Sequence, residues 1–173
     1  MERYRILEGL PPYGDLPQQF SATGMGKHRE GLVVQVFPTT AAGWVGNFQR
    51  GMGSLEGVFM HPNEVLLIVV AGGEGYVVEV DSQKLIQSFG GMLETVFEIP
   101  QQELLVFGDR TEFQAFGRSG RAWQSGRISW DGFCSLAVDG DQLVGEAWSY
   151  EDTWLPFSLD LRSGGHQGGA MVE

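Results

Sequence analysis

Aromatic and acidic side chains are concentrated in one short part of the sequence and could form a protein-binding surface. Trp148, Tyr150 and Trp154 lie within seven residues of one another, beside Glu151 and Asp152. Tryptophan and tyrosine are enriched among the residues that dominate binding energy at interfaces, and neighbouring carboxylates would steer a partner rich in lysine and arginine. The complete candidate set is Asp139, Asp141, Glu146, Trp148, Tyr150, Glu151, Asp152 and Trp154. The alternative interpretation is that these rings pack against the N-terminal segment or close a ring of sheets.

None of the common catalytic motifs is present, so the sequence predicts neither an enzyme nor a cofactor. The patterns GxSxG, HExxH and CxxC do not occur. His28, His61 and His166 lie in three separate loops, so a zinc site would have to gather its ligands from distant parts of the chain. Cys134 stands in an apolar strand context and is predicted to be a buried, inert thiol. An active site assembled from distant loops stays open as an alternative.

Two short motifs partly match ligand-binding loops. Asp139, Asp141 and Glu146 have the carboxylates of a calcium loop, but the EF-hand pattern is incomplete. An Asp-Gly pair is also an ordinary hairpin turn, which is the structure we predict. The segment ATGMGKHRE, residues 22–30, lacks the first glycine and the Ser/Thr of a phosphate-binding loop. We therefore predict neither metal nor phosphate binding at these places.

The charge of the chain disfavours nucleic acid as a partner. Its formal net charge is −11, whereas nucleic-acid binding needs a basic surface. From Asp131 to Glu173 there are eight acids and one base, Arg162. The longest apolar run, Val65–Ala71, is too short to span a bilayer. Together with the lack of a signal-peptide pattern and the single cysteine, this predicts a cytoplasmic protein with no membrane partner.

Three stretches of about 40 residues repeat one pattern of apolar runs and turns. They start at Val58, Val96 and Leu136, with spacings of 38 and 40 residues. Self-similarity at this period indicates a repeat architecture, and the turn spacing predicts a four-stranded meander in each repeat. The predicted single domain, 1–173, comprises an irregular segment 1–31 with a helical turn within Glu2–Glu8, a degenerate repeat 32–56, and repeats 57–91, 94–130 and 131–169.

Two of the predicted strands are apolar at every position, and this predicts how the sheets pack. Val65–Ala71 and Leu104–Phe107 show no alternation, which is typical of strands covered on both faces. Because no helix long enough to cover a sheet is predicted, other sheets must supply the cover. We predict an all-β fold of about four antiparallel four-stranded meander sheets, stacked as a small or partial β-propeller, with a β-sandwich as the alternative. Val78–Phe89 resembles the outer half of a propeller blade, although the WD and GH signatures of the WD40 family are absent.

The last repeat departs from this pattern because its strands alternate. Leu155, Phe157, Leu159 and Leu161 are predicted to face inward. The opposite face would then present Glu146, Trp148, Tyr150 and Trp154. This repeat is therefore predicted to be the end of the array that carries the binding surface.

A small, acidic β protein without catalytic motifs resembles bacterial immunity proteins, which neutralise toxin domains. The resemblance implies a non-enzymatic protein that masks a basic toxin domain through the acidic aromatic surface. One alternative is a propeller-like hydrolase or small-ligand binder with a site at the blade axis, formed by His61–Glu64, Gln101–Glu103 and Asp139–Asp141. Another is a self-assembling half-propeller, which would form a homodimer.

Overall fold

The chain is built almost entirely of β-strands. The computed structural model describes residues 2–24 and 29–171, and in these it contains sixteen strands and one 3-10 turn. The strands form four sheets of four strands each, which confirms the predicted all-β class and the number of sheets. The chain divides into two compact units, residues 1–93 and 94–173. Two predictions depend on how the two units are arranged: that the chain is a single domain, and that all four sheets stack like propeller blades. Both stay predictions.

The first sheet includes strands from a segment that was expected to be irregular. Its strands are β1 (Tyr4–Leu7), β2 (Gln18–Phe20), β3 (Leu32–Val36) and β4 (Trp44–Phe48), in the order β1-β3-β4-β2. The expectation of an irregular segment with a helical turn was wrong, because β1 pairs antiparallel with β3 and β2 pairs parallel with β4. The degenerate repeat thus supplies two strands, and the preceding segment completes their sheet.

The second sheet is the meander predicted for residues 57–91. Its strands are β5 (Gly57–Met60), β6 (Leu66–Ala71), β7 (Glu74–Glu79) and β8 (Leu85–Gly90), paired in sequence order. Five of the six residues of β6 are buried, which confirms the prediction of cover on both faces. Val65 lies outside the strand and is 55% exposed, contrary to its place in the predicted apolar run.

The first two sheets pack against each other around one apolar core. Phe48 and Val34 from the first sheet pack with Leu67 and Tyr76 from the second. The indole N–H of Trp44 donates to the carbonyl of Val80 at 2.8 Å, which links the two sheets. A buried indole that finds such a partner escapes the cost of an unsatisfied donor.

Glycines allow the loops of this unit to meet backbone to backbone. The N–H of Gly53 donates to the carbonyl of Gly72 at 2.9 Å, and that of Leu93 donates to Gly73 at 3.0 Å. Gly73 has a φ of +79°, and a Cβ there would lie 2.5 Å from the Cα of Gly53. Only glycine fits this position, because a side chain would meet backbone that cannot move aside.

The second unit contains two further meanders, which agree with repeats 94–130 and 131–169. The third sheet comprises β9 (Thr95–Ile99), β10 (Leu104–Gly108), β11 (Phe113–Gly117) and β12 (Gly120–Gln124), with the 3-10 turn at Pro100–Gln102. The fourth comprises β13 (Phe133–Asp139), β14 (Gln142–Trp148), β15 (Trp154–Asp160) and β16 (His166–Gly168). As predicted, β10 is buried at all but its first residue.

These two sheets share a second apolar core. Phe113 and Trp123 from the third sheet pack with Leu143 and Phe157 from the fourth. Phe157, Leu159 and Leu161 are buried, as the alternation predicts. Leu155 is 38% exposed, contrary to that prediction, because it lies near the hairpin end of β15 and outside this core. Among the described residues, no helix is long and apolar enough to span a membrane.

Candidate protein-binding surface

One face of the fourth sheet lies outside the core and carries much of the predicted surface. Leu143 and Ala147 of β14 are buried in the core. Because side chains alternate along a strand, Glu146 and Trp148 project from the opposite face. The register places Glu146 opposite Pro156 and Trp148 opposite Trp154 on β15. The two strands therefore present an acid, two indoles and a proline together on this outer face.

The two tryptophans form a cross-strand pair at the end of the hairpin. Their ring centroids lie 4.8 Å apart in an edge-to-face arrangement, and Trp154 is 42% exposed. The loop between them is closed by the N–H of Ser149, which donates to the carbonyl of Thr153 at 2.9 Å. The hydroxyls of Ser149 and Thr153 also lie 2.9 Å apart, within hydrogen-bond distance. These bonds close the loop that joins β14 to β15.

Trp130 extends this surface, although it was not among the predicted residues. Its ring lies 5.6 Å from that of Tyr150, edge to face. The guanidinium of Arg127 lies 5.1 Å from the centre of the Trp130 ring. Trp130 is held here because its N–H donates to the carbonyl of Trp148 at 2.9 Å. Since Trp130 and Tyr150 are twenty residues apart, no local pattern in the sequence could have placed them together.

We define the aromatic cluster as Trp130, Trp148, Tyr150 and Trp154. Trp130, Tyr150 and Trp154 are 41%, 71% and 42% exposed. The buried Trp44 and Trp123 use their indole N–H groups in hydrogen bonds. Within residues 2–24 and 29–171, the three indole N–H groups of the cluster have no protein acceptor. They are therefore available to an acceptor on a binding partner.

Three of the predicted carboxylates lie beside this cluster. The phenol of Tyr150 donates to Glu151 at 3.3 Å, and the N–H of Asp152 donates to the carbonyl of Ser149 at 3.1 Å. Glu146 is half-buried and accepts the Cys134 thiol at 3.6 Å. In the part of the chain that the structure describes, no basic side chain pairs with these three acids. Their negative charge is therefore not neutralised by an ion pair with any described residue.

Asp139 and Asp141 do not join this group, because they lie at the opposite end of the sheet. They belong to the hairpin turn between β13 and β14, with Gly140 at a φ of +59°, which confirms the predicted turn. The seven residues of β14 separate them from Trp148 by about 20 Å. Asp141 accepts the side-chain amide of Gln102 at 2.8 Å and pairs with Arg162 at 2.9 Å. The predicted set is thus split into two places.

A shallow polar cleft of about 400 Å³ lies at this second end of the fourth sheet. Its lining includes the side chains of Gln142, Ser158, Asp160, Ser163, His166 and Gln167. The backbone N–H of Arg162 and the hydroxyl of Ser163 donate to Asp160 and lower the pKa of that carboxyl. The lining is therefore polar and includes a carboxylate that stays ionised at neutral pH.

The other candidate residues that the structure describes lie apart from one another. No group of three or more His, Cys, Asp or Glu side chains in the described residues could hold a metal ion. Cys134 is half-buried, not buried as predicted, because it lies on the outer face of the edge strand β13. His61 is buried, and the N–H of Asn63 donates to its Nδ1 at 3.2 Å. Residues 25–28 of the partial phosphate-loop motif, including His28, lie outside the described residues.

Comparison with known proteins identifies no family for this chain. No protein-family model matches it, and no curated protein matches it significantly. Among solved structures, one chain of a complex in which S. cerevisiae Dbp5 is bound to Nup159, Gle1, IP6 and ADP is 13% identical, with a TM-score of 0.40 over 71% of this chain. A eukaryotic initiation factor is 8% identical, with a TM-score of 0.40 over 83% of this chain.

A third similar structure, Kluyveromyces lactis Hsv2, is 9% identical with a TM-score of 0.28 over 61% of this chain. The chain spans only 35%, 39% and 42% of the length of these three matched chains. TM-scores this low carry no argument about fold or function. The function of this protein therefore has to be inferred from its own sheets and surfaces.

Proposed function

We propose that the chain is a non-enzymatic protein-binding module that holds a basic protein on the outer face of its fourth sheet. The proposal extends to masking: the bound partner is a basic toxin domain whose active surface is covered, as in immunity proteins. One observation carries the proposal. Three of the four rings of the aromatic cluster are exposed, and the cluster lies beside three carboxylates that no basic residue of the described chain neutralises.

The aromatic residues supply the anchoring part of such an interface. Trp154 and Tyr150 have large apolar areas to bury and few rotatable bonds to immobilise, so they gain binding energy at a low entropic cost. The hydrogen bonds of Ser149 already fix the hairpin that carries them. These bonds lower the entropy that the hairpin loop would lose when a partner binds.

The carboxylates supply charge complementarity to a basic partner. Glu146, Glu151 and Asp152 surround the cluster, and the whole chain carries a net charge of −11. Such a field accelerates association with a cationic protein and weakens as salt is added. An acidic or nucleic-acid partner would be repelled from the same face.

The proposal is tested with a partner that is captured from the native host, identified, and then purified. Calorimetry with the two pure proteins should show that Trp154→Ala raises the Kd by at least about 30-fold, as for an interface hot spot. Tyr13→Ala removes an aromatic side chain that is 89% exposed elsewhere and should leave the Kd unchanged. Equal loss in both variants, or none in either, would overturn the proposed surface.

Charge and masking are tested with the same purified pair. Glu151→Gln combined with Asp152→Asn should slow association at low salt and have little effect at high salt. At saturation, the chain should abolish the toxic activity of the partner. A complex that retains full activity would refute the masking role, whatever its affinity.

A further inference from the structure

One ring of the aromatic cluster, Trp130, already has a cation–π contact with an arginine of the same chain. The Arg127 guanidinium lies over the Trp130 ring at 5.1 Å. Its Nε and one terminal nitrogen donate to the carbonyls of Ser129 and Trp130, each at 3.0 Å. A guanidinium can thus lie over an indole and use its N–H groups in hydrogen bonds at the same time.

Trp154 has the same kind of surface without an internal cation. Trp148 meets it edge to face, and no arginine or lysine of the described residues lies over its ring. With 42% of the residue exposed, the indole can still receive a planar group from solvent. Among the described residues, a guanidinium therefore lies over Trp130 and no cation lies over Trp154.

Glu146 lies where its carboxylate could accept hydrogen bonds from the N–H groups of a guanidinium placed over Trp154. Glu146 is opposite Pro156, two residues along the strand from Trp154 on the same face. Such diagonal neighbours lie about 7–8 Å apart at the Cα atoms, within reach of long side chains. Oε2 of Glu146 accepts the Cys134 thiol, and Oε1 has no partner among the described residues.

We propose that the partner's anchoring group is an arginine whose guanidinium stacks on Trp154 and donates to Glu146. This inference rests on the proposed function and specifies the chemistry at its surface. Arginine suits the site better than lysine because the guanidinium is planar, is weakly hydrated and presents several donors in one plane. A lysine ammonium would have to give up more hydration to reach the indole.

The experiment uses the full chain and two defined probes. One is a seven-residue peptide of alternating glycine and arginine, and the other has lysine in place of arginine. The indole N–H signals are followed by nitrogen-15 NMR, with Trp154 assigned from the variant Trp154→Phe. The arginine peptide should shift the Trp154 signal and bind about two- to fivefold more tightly than the lysine peptide.

Glu146→Gln should remove most of this preference for arginine, whereas Glu98→Gln, at an exposed position of β9, should keep it. Equal binding of the two peptides would overturn the guanidinium inference and leave the proposed function standing. A shift at Trp130 without one at Trp154 would overturn the assignment of the site, as would no shift at all. The proposed function fails separately, if Trp154→Ala leaves the affinity for the purified protein partner unchanged.

Discussion

The indole N–H of Trp123 donates to the carbonyl oxygen of Leu161 at 2.8 Å, and this bond joins the third sheet to the fourth. Trp44 makes the equivalent bond in the other unit, to the carbonyl of Val80 at 2.8 Å. In both cases the acceptor directly follows the third strand of the neighbouring sheet, β7 or β15. The two units thus use the same device to fix one sheet against the next.

Replacement of Trp123 by phenylalanine should destabilise the second unit. The substitution keeps an aromatic ring but leaves the Leu161 carbonyl without its donor, which costs about 1–3 kcal/mol for a buried group. Chemical denaturation followed by circular dichroism measures the loss. Trp154→Phe is the matched control, because Trp154 is 42% exposed and donates no hydrogen bond to a described residue; its cost should stay below about 1 kcal/mol. Equal costs would mean that the bond does not hold the sheets together.

Replacement of Gly73 by alanine should destabilise the first unit by more than the cost of placing a side chain at a positive φ. A Cβ at this position would lie 2.5 Å from the Cα of Gly53 and 2.8 Å from the N of Leu93. Gly126 has a similar φ of +72°, and a Cβ there would have nothing within 4 Å. Gly126→Ala therefore measures the cost of the backbone strain alone, which is about 1–2 kcal/mol. The free energy of unfolding should fall by at least about 2 kcal/mol more for Gly73→Ala than for Gly126→Ala. A similar loss in both variants would show that the loops move apart easily.

The repeat pattern predicted the sheets well because it depends on local chemistry. Turn residues and apolar runs mark the strands of residues 57–91, 94–130 and 131–169. The uniformly apolar β6 is buried as its composition requires. In contrast, β1 and β2 have no such signal, since they complete a sheet whose central strands come later in the chain. Their pairing depends on partners that the local sequence does not identify.

The candidate surface was predicted in part, for a related reason. Trp148 and Trp154 lie close in sequence across one hairpin, so their contact follows from strand pairing. Asp139 and Asp141 lie nine and seven residues from Trp148 but precede β14, so the length of that strand places them at its other end. Trp130 reaches Tyr150 only through the folded chain. Residues that are close in sequence are thus predicted to share a surface only when they lie on either side of the same turn.

The chain should not form a dimer through its acidic surface. A symmetric dimer uses the same patch on both copies, so a contact at the aromatic cluster would place the carboxylates of Glu146, Glu151 and Asp152 from both copies in one interface. Light scattering during size-exclusion chromatography at micromolar concentration and low salt should give 19.0 kDa, the mass of one chain. A dimer that Trp154→Ala dissociates would contradict this and would support self-assembly through this face.

The stability of the protein should fall between neutral and mildly acidic pH because of His61. Only 1% of this residue is exposed, and burial lowers the pKa of His61 from its ordinary 6.5. Below about pH 6.5 the unfolded chain binds a proton that the folded protein does not, so the free energy of unfolding decreases until the pH reaches the folded-state pKa.

His61→Gln should lower stability at every pH, because a buried ring is lost, but should flatten this slope. Urea denaturation at a series of pH values from 7 to about 5 measures both effects. His166→Gln removes the other histidine of the described residues without changing the surroundings of His61, and it should retain the slope of the wild-type protein. An unchanged slope in His61→Gln would show that His61 is not the group that takes up the proton on unfolding, and would contradict this prediction.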